Sequence, residues 1–329
     1  EEIGITETIF ATVAGLKVER GFKSWFRGRN DHIAFEIVVR NNLIYFYVAV
    51  AFKLRTYLEQ QISAQYPYAH IEEMTDYNIF TPESKIMGAY LKAKRTNVMP
   101  FRTYKKMDSD PMSAVLNVLS KIHTDNSSAA IQIILRPAHK KWRRKGIKIV
   151  REVKKGKKID QALRAGWFGK TFGLGEELMD ELARGKKKTD IVPGESHYQP
   201  SAMEEEMLKG IEEKISKGGL QATVRIVSVS DNEETAQMNL DNLVNSFSQY
   251  NLYRYGNEFR AIVPRNQRLL IRDFIYRSYH ENRSFIVNTE EMSSLWHLPL
   301  HSSETPNIKW LSGRRAPPPP NLPTEGLLL

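Results

Sequence analysis

Leu43-Ile44-Tyr45-Phe46-Tyr47-Val48-Ala49-Val50 carries β-branched, aromatic and small apolar side chains and no charge. The run is far too short to cross a membrane, and its residue types read as a buried strand. Residues 33–40, joined to it through Asn41-Asn42, predict a hairpin partner, although Asn-Asn is a weaker turn signal than Asn-Gly. After the strand, Leu54, Leu58 and Ile62 recur at i, i+4 and i+8 with Ala51 and Tyr57 beside them, a helix that Pro67 stops. Residues 69–74 read as a short strand and residues 86–94 alternate as a third. Asp110 followed by Pro111 predicts a capped helix that turns Val115, Leu116, Leu119 and Ile122 inward. The isoleucine-rich residues 129–135 close the set. Over 43–136 the order β-α-β-β-α-β is that of a ferredoxin-like split sandwich, an antiparallel sheet with two helices on one face.

The second half repeats the pattern without repeating the residues. A helix over 202–216 precedes a strand at 220–228, and Ser230 with Glu233 reads as a capping box. The helix behind it has Ala236, Leu240, Leu243, Val244 and Phe247 as one apolar stripe. Strands at 259–263 and 284–287 flank a helix over 267–276. The expected fold class is therefore α+β, with tandem ferredoxin-like lobes, a basic helical and loop insertion and a C-terminal proline-rich linker. The expected divisions are a first lobe at 1–138, a basic and Gly-rich linker region at 139–200, a second lobe at 201–299 and an extended linker at 300–329.

With 329 residues, 41% of them apolar and 26% charged, the chain is long enough and apolar enough for a folded protein of two domains. It has no cysteine, which excludes disulfides, Cys-ligated zinc, iron–sulfur clusters and thiol nucleophiles. No apolar run is long enough for a transmembrane helix, and a cytoplasmic location is the default expectation. The net charge of +10 is concentrated in one place: residues 139–188 hold 17 Lys and Arg against 6 Asp and Glu. Such a block speaks to polyanionic partners, nucleic acid or anionic lipid, and not to the fold.

Within that block Lys140, Lys141, Arg143, Arg144, Lys145, Lys148, Arg151, Lys154, Lys155, Lys157 and Lys158, with Trp142 interleaved, are the candidate contact residues. Residues 140–153 can be helical, with Trp142, Ile149 and Val153 as a thin apolar side. Gly169-Lys170-Thr171 lacks the glycine that a phosphate-binding loop needs five residues earlier, because position 164 is Arg. Residues 165–175 then read as a Gly/aromatic loop and 185–200 as a polar linker. His297 and His301 are separated by Pro299, which breaks the helical face a metal pair would use. Glu72, Glu73 and Asp76 read as a solvated strand face, Glu204-Glu205-Glu206 as a helix start and Glu290-Glu291 as a cap region. No catalytic residue, metal ligand or cofactor-binding residue is expected, and the chain is not expected to be an enzyme.

Asn288-Thr289-Glu290-Glu291-Met292-Ser293-Ser294-Leu295-Trp296-His297-Leu298-Pro299, then Thr305-Pro306-Asn307-Ile308-Lys309-Trp310-Leu311, then residues 316–323 and Gly326-Leu327-Leu328-Leu329 complete the readable sequence. Together they resemble the segment immediately upstream of the motor domain in HerA/FtsK-superfamily ATPases of the conjugative, type IV secretion kind. Residues 35–47 and 60–77 are similar, less specifically, to the N-terminal portion of those proteins. The resemblance implies a piece of a membrane-associated, hexameric DNA- or protein-pumping machine, cut before the motor, with ATP and Mg in the missing motor only. Its implied partners are that motor, sister subunits, DNA, an anionic membrane surface and other secretion-system components. Membrane association would come through segments outside this chain. The competing expectation is a free-standing nucleic-acid-binding module whose sheet aromatics Tyr45, Phe46 and Tyr47 form the contact surface. A third, a small-molecule enzyme with its site between lobes, lacks a nucleophile, base and orienting group.

Overall fold

Asn41 and Asn42 have φ of 49° and 61°, the left-handed conformation that a two-residue hairpin turn requires at both positions. The turn joins β1, Ile33–Arg40, to β2, Leu43–Ala49, in an antiparallel pair with Ile37 opposite Phe46. A computed structural model describes residues 2–16, 32–67, 69–122, 127–168, 200–299 and 308. The Gly169-Lys170-Thr171 loop, residues 169–175, residues 185–199 of the linker and, apart from 308, residues 300–329 lie outside the described residues, while residues 165–168, expected in a loop, end a helix instead.

Helix α1, Glu2–Gly15, precedes the hairpin, and α2, Arg55–Gln65, follows it. Next come β3, Lys85–Ala93, and α3, Pro111–Ser120, whose N-cap Asp110 accepts from the Met112 amide at 2.8 Å. Strand β4 is Ser128–Pro137, followed by α4, Lys141–Lys154, and α5, Ile159–Phe168. The second half supplies α6, Ala202–Ser216, and β5, Gly219–Ser230. It continues with α7, Glu233–Ser246, and β6, Phe259–Ile262. Helix α8, Gln267–Ile275, strand β7, Phe285–Asn288, and helix α9, Thr289–Leu295, complete it.

The fold is α+β with one seven-stranded sheet in the order β2-β1-β4-β5-β3-β6 and β7 paired to β5. Every pairing between these strands is antiparallel. This differs from two separate ferredoxin-like sheets. The long β5 of the second half lies between β4 and β3 of the first, and β3 and β7 share its other edge. The expected boundaries at 138 and 200 therefore do not separate two sheets. Residues 69–74 are not a strand: they have no ladder partner, and Ile71 and Met74 are 40% and 51% exposed. The cap of α7 is Asn232, which accepts from the Thr235 amide at 2.7 Å, because the Ser230 hydroxyl is bonded to that of Ser127 within the sheet.

One face of the sheet carries Phe35, Ile37, Ile131, Ile133, Val224 and Ile226 into the main core, under α1, α3, α7 and α9. Trp296, directly after α9, packs edge-on against Phe35 and Phe46 with ring centroids 4.9 Å and 6.0 Å away. The second face carries Val38, Ala130, Val227 and Val229 beneath α8 and the segment holding Tyr77, Ile79 and Phe80. A smaller apolar cluster joins α4, α5 and α6. Among the described residues no helix is long and apolar enough to cross a membrane.

A candidate polyanion-binding helix and a buried polar row

Helix α4 divides cleanly along its axis. Trp142, Gly146, Ile149, Val150 and Val153 are buried, at the three- and four-residue steps that place them on one side. Lys141, Arg144, Lys148, Arg151 and the C-cap Lys155 recur at the same steps on the opposite side and are all exposed. At about 1.5 Å per residue this cationic ladder extends roughly 20 Å. The helix is fixed in place by its apolar side. Gly146 faces Ile215 of α6, and Gly219, the first residue of β5, lies so close to the Trp142 ring that an added Cβ would fall inside van der Waals contact.

The other expected contact residues divide by exposure. Lys140 and Lys158 are exposed, as are Lys154, 2.6 Å from Glu212, and Lys157, which is paired with Glu152. Lys145 is half-buried. Arg143 is half-buried too and donates to the Lys217 carbonyl past the end of α6, so it holds structure. Trp142 is only 7% exposed and cannot interleave with phosphates or bases. The Glu152 carboxyl is held below its ordinary range first by the Lys157 hydrogen bond and then by the charges of Lys157, Lys155 and Lys148, as expected in a positive local field. Because its apolar side is occupied by α6, α4 presents charge to a partner and not an inserting hydrophobic face; Ile147, 43% exposed, is its one exposed large apolar residue.

Gly219→Val therefore tests placement without touching a charge. It should displace Trp142 and α4, lowering the melting temperature and weakening any polyanion binding together; an unchanged melting temperature would show that α4 is not seated on β5.

The second face of the sheet holds a feature that the sequence reading missed. Glu36 of β1, Gln132 of β4, Arg225 of β5 and Tyr90 of β3 stand directly opposite one another across four strands. All four are at most 1% exposed. Arg225 donates to Gln132 at 2.7 Å, and Gln132 donates to Glu36 at 2.8 Å. Glu36 also accepts from Tyr77 at 2.8 Å and from both Nε and Nη2 of Arg277, at 2.9 Å and 3.1 Å. Arg277 in turn reaches Asp76 at 2.8 Å, holding that carboxyl below its usual range. At the other end Tyr90 donates to Asp273 at 2.9 Å. A lone polar residue in the middle of an apolar strand, as in Ile33–Arg40 and Ser128–Pro137, is the only local signal of such a row.

The family model described as a domain of unknown function, DUF8128, matches residues 12–311. The chain belongs to the DUF8128 family. All seven strands, α4 and the polar row lie inside the matched region. No curated protein matches the chain.

His297, Glu72, Glu73, Glu204 and Glu291 of this DUF8128 chain have structural partners. His297 is buried, with Nδ1 2.8 Å from the Ser293 carbonyl and Nε2 2.9 Å from Asp110; His301 lies outside the described residues. Glu73 pairs with Arg55 at 2.7 Å, and Glu72 lies 3.3 Å from His70. Glu204 closes a capping box with Ser201, and Glu291 closes one with Asn288. Among the described residues no group of three or more His, Cys, Asp or Glu could hold a metal ion.

Proposed function

We propose that this DUF8128 chain is a non-catalytic, N-terminal assembly and positioning region of a membrane-associated translocating ATPase of the HerA/FtsK, conjugative type IV secretion kind. On this reading the exposed ladder of α4 contacts DNA phosphates beside the motor ring. ATP and Mg belong to the motor that would follow, sister subunits are the assembly partners, and membrane association comes from segments outside this chain. The observation that carries the DNA contact is the ladder itself, five exposed cations on one face of a helix whose other face is anchored. The wider assignment is supported by the resemblance of residues 288–299 and 305–311.

The test is binding of labelled duplex and single-stranded DNA at about 50 and 200 mM salt. For a duplex, five phosphate contacts predict a log–log salt slope of about −4 to −5, a loss of a few hundredfold over that range. The variant Lys141→Glu/Arg144→Glu/Lys148→Glu/Arg151→Glu should abolish binding at low salt while leaving the melting temperature within a few degrees, because none of the four is buried. Salt-insensitive binding, or binding that survives the reversal, removes α4 as the contact. Binding to anionic vesicles in place of DNA moves the ladder to a membrane surface.

One observation keeps a second reading in view. Tyr45 and Tyr47 stack at 5.8 Å, Tyr47 stacks on Tyr77 at 4.6 Å, and Arg40 lies 5.1 Å from the Tyr45 ring centre. In a free-standing nucleic-acid-binding module these half-exposed rings of β2 would carry single-strand binding. Tyr45→Ala/Tyr47→Ala should then abolish it; under the α4 reading the same change leaves DNA affinity within about twofold.

A further inference from the structure

The Arg225 end of the polar row gathers buried polar atoms that make no hydrogen bond among the described residues, although His280 Nε2 and Arg283 Nη1 lie within ion-pair distance of Asp273. Arg225 is fully buried; Nη1 and Nη2 serve Gln132 and the Ser278 carbonyl, and Nε has no acceptor. Asp273 is 3% exposed. Its Oδ2 takes the Tyr90 hydroxyl and lies 2.7 Å from His280 Nε2, out of line for a hydrogen bond, and 3.5 Å from Arg283 Nη1. Its Oδ1, with Arg272 Nη2 3.5 Å away, accepts no hydrogen bond. Arg283 and Arg225 both approach the Tyr90 ring, 4.0 Å and 5.5 Å from its centre. The His280 and Arg283 side chains are 40% and 35% exposed, whereas Arg225 and Asp273 are buried, so the cluster meets solvent through the first two.

An unsatisfied buried polar atom costs about 1–3 kcal/mol, so a ligand able to satisfy several of these at once is favoured. The atoms without a hydrogen bond are mixed: Arg225 Nε, Arg283 Nη1 and the His280 imidazole offer a ligand cationic or N–H groups, the last two now balanced only by the Asp273 charge, whereas Asp273 Oδ1 can only accept. A fully ionised anion would answer the first three and collide electrostatically with the fourth. A tetrahedral oxyanion that keeps one proton answers all four. We propose that Arg225, Arg283, His280 and Asp273 form a binding site for hydrogen phosphate, whose oxygens accept from the two guanidinium groups and the imidazole and whose P–OH donates to Asp273 Oδ1. Sulfate has the same shape but no proton at neutral pH, and the site rejects it, as sites built to receive a ligand hydroxyl reject the analogue lacking it. Burial, the largest influence on Arg225, disfavours its charged form, and a bound anion would relieve that cost. The site is independent of α4.

The test is calorimetric titration of the whole chain with sodium phosphate and with sodium sulfate at pH 7, in phosphate-free buffer at constant ionic strength. The expected result is saturable phosphate binding with sulfate at least tenfold weaker. Arg283→Gln, at a partly exposed position, should weaken phosphate at least tenfold with the unliganded melting temperature unchanged. Asp273→Asn replaces the lone acceptor with an amide that can donate and should bring sulfate up to phosphate. The quadruple α4 variant should bind phosphate as wild type does. Equal responses to both anions, or phosphate binding lost with the α4 variant and kept in Arg283→Gln, would overturn the assignment. If Asp273→Asn does not fold, Arg283→Gln and the phosphate-to-sulfate ratio still decide.

Discussion

Lys214→Met should destabilise the protein by about 3–5 kcal/mol, the cost of leaving one member of a buried ion pair without the other. Lys214 of α6 is fully buried, and its three protons go to the Met99 carbonyl at 3.0 Å, the Ile286 carbonyl at 2.8 Å and the Glu291 carboxylate at 3.0 Å. Glu291 of α9 also accepts the Phe101 amide at 2.7 Å and the Asn288 amide at 2.8 Å. Burial pushes the Lys214 ammonium down and the Glu291 carboxyl up, each opposed by the other's charge. Methionine fills the space of the lysine stem but leaves Glu291 charged in the core. Lys214→Met/Glu291→Gln should recover more than half of the loss, because the glutamine oxygen still accepts a backbone amide and carries no charge. Urea unfolding of the two single variants and the double, with m unchanged, gives the coupling directly. A single-variant loss below about 1 kcal/mol, or no recovery in the double, would show that the pair is not charged in the folded protein.

Glu36→Leu is the second large effect, again about 3–5 kcal/mol. Four donor atoms converge on that carboxylate, from Gln132, Tyr77 and twice from Arg277. Removing it leaves the Tyr77 hydroxyl without its acceptor and the Arg277 guanidinium with Asp76 alone, beside a vacated position on the second face of the sheet. Glu36→Gln should cost less, about 1–3 kcal/mol, since an acceptor remains. The two large variants should differ in where they loosen the fold. Glu36→Leu should speed amide exchange at 76–80 and 273–283, and Lys214→Met at 99–101 and 286–291, because those backbones are held by the respective pairs. Uniform acceleration in both would mean that the two networks share one cooperative unit.

The helix and strand positions were largely legible because their causes are local. The i, i+4 stripe of Leu54, Leu58 and Ile62, the Asp110-Pro111 start and the alternation after Lys85 each depend on neighbours within a turn or a pleat. Residues 140–153 are legible as an amphipathic basic helix for the same reason, whereas only packing shows that Trp142 is buried and that Arg143 is tied to the Lys217 carbonyl. No helix is read over α1 or α5, and α9 is not foreseen either. Its seven residues are all buried or half-buried, so polar Ser293, Ser294 and Thr289 face neighbours and show no amphipathic period. The Arg225 cluster is not legible locally because Arg225, Asp273, His280 and Arg283 are scattered over 59 positions and share no spacing.

By itself the sequence determined the α+β class, the concentration of positive charge in one segment and the absence of any cysteine chemistry, since composition and short-range periodicity are enough for each. Only the tertiary structure decided strand order. Both β3 and β4 are apolar strands that could have paired with each other, and what separates them is β5, about a hundred residues further along the chain. Pairing of that kind is fixed by which faces must be buried together and by the register that aligns Glu36, Gln132, Arg225 and Tyr90. A one-residue slip of any of these strands would turn its polar residue into the apolar core, so the register and the polar row specify each other.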